Sequence, residues 1–132
     1  MKTEMTYLVW VTVFTGLLWI PYVLNRITVR GLVDTVGYPE RPKPLAPWAA
    51  RMKAAHMNAV ENLVIFAPLA IAVHVLDAGT AVTATAAMIY FWARVVHFFV
   101  YAFAIPWLRT LAFAVGFGAQ IALAWVLLGA MG

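Results

Sequence analysis

Six side chains that a lipid bilayer disfavours, Arg51, Asn58, Glu61, Arg94, Tyr101 and Arg109, lie in or at the ends of strongly apolar stretches. An ionisable group within a membrane span costs roughly 2.5–3.5 kcal/mol even on lenient insertion scales, so it usually faces a bundle interior or an aqueous cavity. Three guanidinium groups, one carboxylate, an amide and a phenol form a set suited to holding an anion. Guanidinium stays charged and offers several donors. Glu61 can neutralise one arginine, most economically Arg94, and the surplus positive charge then wants an anionic ligand. Each residue also has a plainer reading. Glu61 and Arg94 could be a pair that fixes helix register. Arg51 and Arg109 could lay their stems along the bilayer interface, and Tyr101 could belong to an aromatic belt.

The elements that must position these groups are membrane helices. Hydrophobic residues make up 65% of the 132-residue chain and charged residues 11%, too apolar for a soluble domain. At about 20 residues per crossing, the chain has room for four spans in one domain, residues 1–132. The expected fold is all-α and integral to the membrane: four transmembrane helices in an antiparallel bundle. The expected spans are residues 6–26, 48–76, 81–104 and 107–130. Pro21 should kink the end of the first. Residues 31–47 contain Pro39, Pro42, Pro44 and Pro47 and read as a loop. Pro68 should bend the second span. Thr80 is a candidate N-cap for the third. The first apolar stretch carries Glu4 near its start and is too long for a signal-peptide core, so it reads as a retained span.

Helical geometry groups the polar residues. At about 100° per residue, Arg51, Ala54, Asn58, Glu61, Asn62 and Ile65 fall within about 100° of arc on the second span. Tyr90, Arg94, His97 and Tyr101 fall within about 60° on the third. A narrow polar stripe on an apolar membrane helix must point at a partner helix or a cavity. His56 lies off the stripe and reads as an interfacial or subunit-contact residue, and His74 lies at the opposite end. Only Glu61 and His97 could meet at a metal, short of the three or four ligands such a site requires, so no metal is expected. The chain has no cysteine, which excludes disulfides and a cysteine nucleophile.

The formal charge of +4 is concentrated. Arg26, Arg30, Arg41, Lys43, Arg51 and Lys53 fall in or beside the first loop, whereas the turn after the second span has neither Lys nor Arg. Such a cluster is more simply explained by topology than by nucleic-acid binding, and Lys and Arg mark the cytoplasmic side. Both termini are expected outside, with the first loop and the polar site facing the cytoplasm of a cell inner membrane.

The segment Arg51-Met-Lys-Ala-Ala-His56-Met-Asn58-Ala-Val-Glu61-Asn62 resembles the second-helix signature of the MAPEG family, the membrane-associated proteins in eicosanoid and glutathione metabolism. Ala93-Arg94-Val-Val-His97-Phe-Phe-Val-Tyr101, with Pro106, Arg109 and Leu111-Ala-Phe-Ala-Val-Gly116, resembles that family's third helix and the start of its fourth. The resemblance spans the whole chain in span number and order. It implies a homotrimer that binds glutathione as co-substrate between subunits. Carried to matching positions, Asn58 and Glu61 would hold the tripeptide's polar groups, Arg94 would anchor the site, and Tyr101 would contact the ligand. Arg109 would be the catalytic residue, stabilising the glutathione thiolate. His97 occupies a position filled by His or Tyr in relatives. Arg26 or Arg30 would reach a neighbouring subunit's ligand. One departure is Ala54, where several members carry a carboxylate-binding arginine; Arg51, one turn earlier, could compensate.

The chemistry implied is thiol activation. A free thiol has a pKa of about 8.5, and a nearby cation favours its anion. The expected function is a membrane-embedded glutathione-dependent transferase or peroxidase acting on a lipophilic small molecule that enters from the lipid. The alternative is a non-catalytic lipid-binding protein of the same fold, which Ala54 favours. A transporter using Glu61, Arg94 and His97 fits less well, since four spans without an internal repeat depart from most transporter folds.

Overall fold

The computed structural model describes residues 2–132, which form five α-helices and no strand. Helices α1 (Thr3–Leu17) and α2 (Trp19–Val36) make one kinked rod, followed by α3 (Pro47–Val75), α4 (Ala81–Ala102) and α5 (Pro106–Met131). Four rods are long and apolar enough to cross a membrane: Thr3–Val36, Pro47–Val75, Ala81–Ala102 and Pro106–Met131. The second, third and fourth agree with the expected spans to within two residues at each end.

The first rod differs. It continues to Val36, so residues 32–36, expected in the loop, are helical. Two backbone events shape it. Proline lacks an N–H and crowds the carbonyl four residues earlier. For Pro21 that is Leu17, where α1 ends, and Leu18 N donates to Thr15 O at 3.3 Å instead. Farther on, Gly31 has φ 79° and ψ 163°, a region essentially reserved for glycine, so the helix breaks there and resumes. The following loop is tied back to α2. Arg30 Nε donates to Lys43 O at 2.6 Å, and Ala46 N donates to Asn25 Oδ1 at 3.0 Å. Pro47 then opens α3 at a position where a missing N–H costs nothing.

The opposite end of the bundle is closed by short-range bonds. Thr80 and Thr83 form a reciprocal capping box: Thr83 N donates to Thr80 Oγ1 at 3.2 Å, and Thr80 N to Thr83 Oγ1 at 2.7 Å. Lys2 pairs with Asp77, joining the start of the chain to the α3–α4 turn. Pro68 lies inside α3, which remains one helix across it.

Two apolar layers hold the rods together. Near the α3–α4 turn, Leu8, Val11, Phe66, Tyr90 and Leu123 are buried together, with Phe66 and Tyr90 rings stacked 3.9 Å apart. Toward the loop end, Leu18, Ala55, Ala59 and Phe98 form the second layer. Small residues let α4 and α5 approach closely, as is common where membrane helices meet. A Cβ at Gly116 would stand 3.7 Å from both Ala93 Cβ and Arg94 Cδ. Large side chains such as Val64, Trp92, Leu111 and Trp125 point outward, where lipid can receive them.

Candidate functional site

Arg94 is the anchor of the polar cluster. It projects from α4 beside the close α4–α5 contact and is 2% exposed. Its Nη2 donates to Asn58 Oδ1 on α3 at 2.7 Å and lies 3.3 Å from His97 Nδ1, one turn along α4. Arginine can only donate. Asn58 is thereby fixed with its oxygen toward Arg94, and His97 must present Nδ1 as an acceptor, which leaves the proton of the neutral ring on Nε2. Asn62 Nδ2 also donates to Asn58 Oδ1 at 3.3 Å. Arg94 Nε and Nη1 are buried without a partner among the described residues. A buried guanidinium with unmet donors is costly, and an anion or water reaching it would relieve that cost.

The expected Glu61–Arg94 pair is not made within the subunit. Among the described residues the salt bridge is Lys2–Asp77, while Glu61 is exposed on α3. The physical reason is register. Asn58, not Glu61, is level with Arg94, and Arg51 Nε donates to Ala102 O at 2.9 Å. Relative to the expected alignment, the Asn58–Arg94 contact is offset by three residues, a rise of about 4–5 Å, and the Arg51–Ala102 contact by two, about 3 Å.

Above this anchor, Arg109 on the first turns of α5 places its Cζ 4.7 Å from the centre of the Tyr101 ring, within cation–π range. Tyr101 in turn meets the His97 ring edge-on at 5.7 Å. This stack separates two cavities. One, of about 340 Å³, is lined by Asn58, His97, Tyr101, Arg109, Thr110 and Phe113. The other, of about 220 Å³, is lined by Arg51, Tyr101 and Arg109 with the α4–α5 turn. The polar groups of the larger cavity are chiefly donors: the guanidinium, the phenol, and the free N–H groups of His97 and Asn58. Such a lining fits an anion.

The sequence-derived candidates therefore divide. Arg51, Asn58, Arg94, His97, Tyr101 and Arg109 come together at one end of the α3–α4–α5 bundle. Glu61 shares their helix but points outward. Arg26 and Arg30 stand apart on α2: Arg26 lies 5.9 Å from the Tyr22 ring, and Arg30 holds Lys43 O. His56, read as an interfacial or subunit-contact residue, bonds Tyr22 within the subunit: its Nδ1 lies 2.8 Å from the Tyr22 hydroxyl, joining α2 to α3. Thr110 and Phe113 were not singled out by sequence. Phe113 lies one turn beyond Arg109 and within the Leu111–Gly116 stretch that carried the resemblance, the two signals that pointed to it. Gln120, also passed over, is buried and donates to Asn62 O at 3.0 Å, fixing α5 against the polar stripe of α3.

No curated protein and no solved structure matches the chain. Its residues 7–129, nearly all of the sequence, match the model of the MAPEG family. With four membrane-spanning rods and the polar cluster placed at the positions that carried the resemblance, the chain is an integral membrane protein and belongs to the MAPEG family.

Proposed function

We propose that this protein is a glutathione-dependent transferase or peroxidase that activates the thiol for attack on lipophilic electrophiles or hydroperoxides. The observation that carries the reading is Arg109 held over Tyr101 at the wall of a donor-lined cavity, with Arg94 unsatisfied behind it. At about 340 Å³ the cavity falls at the small end of the range for ligand sites.

In this reading Arg94, through Asn58 and His97, orients the peptide portion of glutathione. Arg51 binds a carboxylate in place of the arginine absent at Ala54. Arg109 stabilises the sulfur anion. With a haloarene, the thiolate sulfur attacks the ring carbon, a C–S bond forms, the carbon–halogen bond breaks and halide leaves. With a hydroperoxide, sulfur attacks the terminal oxygen. The O–O bond breaks and the alkoxide takes a proton to leave as alcohol. A second glutathione then converts the sulfenic acid to disulfide and water. The protein needs no nucleophile of its own.

Glu61 supports a homotrimer in this reading. A carboxylate facing outward from an apolar helix is poorly placed in lipid, and a neighbouring copy would cover it. Arg26 and Arg30 would then reach the neighbour's ligand. The basic first loop supports a cytoplasmic position for this site. Ala54 favours a second reading, a lipid-binding protein without catalysis.

The test is to titrate the detergent-solubilised protein with glutathione, measure its mass by light scattering, and assay conjugation of a chloronitrobenzene. Glutathione binding, a mass of three chains and enzyme-dependent conjugation are expected. Binding and turnover both absent with any thiol would favour the lipid-binding reading, and a stable monomer would overturn the trimer.

A further inference from the structure

The entire net charge of the chain resides in one segment that the proposed chemistry uses only in part. Between Arg26 and Lys53 lie six cations and two carboxylates, leaving +4. The three cations and three carboxylates elsewhere cancel. Arg41, Lys43 and Lys53 are exposed and their side chains have no partner among the described residues. Large apolar side chains are exposed in the same region. Leu32, Val33, Val36 and Tyr38 are 63%, 80%, 73% and 102% exposed, and Trp48 is 41% exposed.

The backbone gives this combination a definite shape. Gly31, at φ 79°, ends the regular course of α2, so residues 32–36 form a separate short helical piece. The loop after it is fastened at two points, Arg30 to Lys43 O and Asn25 to Ala46 N. Arg41 and Lys43 therefore stand on a fastened platform that follows the apolar piece in the chain, and Lys53 lies near the start of α3, at the end of two membrane-crossing rods.

We propose that this platform is an interfacial foot that binds anionic phospholipid headgroups. Leu32, Val33, Val36 and Tyr38 enter the boundary between headgroups and acyl chains, and Arg41, Lys43 and Lys53 engage the phosphate and its net negative charge. An aqueous acidic protein or a nucleic acid would satisfy the cations but leave the neighbouring apolar side chains in water. A zwitterionic surface would receive the apolar side chains and leave the charge uncompensated. An anionic bilayer surface answers both, and in a membrane-spanning chain it lies next to the segment. A cation near an anionic membrane surface strengthens binding by about fivefold, so three give on the order of 10²-fold.

The test uses the whole protein in detergent, titrated with short-chain phosphatidylglycerol or phosphatidylcholine. Bound lipid is counted by native mass spectrometry and stability followed by thermal unfolding. The parent should retain phosphatidylglycerol in preference to phosphatidylcholine and be stabilised more by it, the difference shrinking as salt is added. The triple variant Arg41→Gln, Lys43→Gln, Lys53→Gln should lose that preference, binding phosphatidylglycerol about 10²-fold more weakly, with helical content unchanged. The variant Val33→Asn, Val36→Asn should weaken both lipids alike. Equal retention of the two lipids by the parent would overturn the proposal, as would full preference in the triple variant. Inorganic phosphate or an RNA oligonucleotide displacing phosphatidylglycerol at comparable concentration would show that the patch reads charge alone, and would overturn it too.

Discussion

Asn58→Ala removes the acceptor that meets the Arg94 guanidinium at 2.7 Å. Arg94 is 2% exposed, so water cannot simply replace the lost oxygen, and its Nε and Nη1 already lack partners among the described residues. A hydrogen bond to a charged group contributes about 1.5–3 kcal/mol. Coupling energies measured between membrane helices reach only about 1.7 kcal/mol, because the unfolded chain in a micelle also finds partners. The two ranges overlap near 1.5 kcal/mol, and that is the coupling expected between Asn58→Ala and Arg94→Met in a double-mutant cycle. It corresponds to roughly a tenfold change in the unfolding equilibrium. The assay is reversible unfolding in mixed micelles of rising dodecyl sulfate content, followed by circular dichroism. A parallel cycle pairing Glu61→Gln with Arg94→Met should be additive within about 0.5 kcal/mol, as independent sites are. Coupling below that value for Asn58, or clearly above it for Glu61, would refute the register argued from the Asn58 and Ala102 contacts.

Two further outcomes follow from the geometry. Tyr101→Phe keeps the ring under Arg109 but removes one donor of the cavity and should lower turnover only slightly, whereas Tyr101→Ala removes the stack as well and should lower it by about tenfold or more; equal losses in both would assign the role to the hydroxyl alone. Gly31→Ala meets no atom within 4 Å, so its cost is purely that of the backbone conformation, about 1–3 kcal/mol; an unfolding measurement showing no loss would mean that the break in α2 is not held there.

Much of this architecture was legible in the sequence because hydropathy and turn chemistry act locally. Thr80, Pro47 and Pro106 each mark a helix start by a mechanism confined to one turn. The first rod was less legible for two reasons. Proline acts on the carbonyl four residues before it, so the kink falls near Leu18 rather than at Pro21. Arg26 and Arg30 ended the apolar pattern, but helical hydrogen bonding continued past them. The polar cluster was recognisable as two stripes, yet the partner of Arg94 was not. Asn58 and Glu61 are only about 60° apart around α3, so helical projection places both on one face. Which of them meets Arg94 depends on the axial register of α3 against α4, seen in the Arg51 bond to Ala102. Gln120 escaped notice because a lone amide in an apolar span has no periodicity; its meaning comes only from the Asn62 carbonyl it meets.

The claim on which the functional account rests is that Arg109 stabilises a glutathione thiolate. Removing a single group aimed at a bound or developing anion typically costs about 2.7–4 kcal/mol, or 10²–10³-fold in rate. The direct measurement is the ultraviolet difference absorbance of thiolate when saturating glutathione is added to the parent protein and to Arg109→Ala. The parent should show the thiolate band near neutral pH, while Arg109→Ala should bind glutathione, retain its helical content and show none. An undiminished band in Arg109→Ala, or no band in a parent that binds glutathione, would contradict the account.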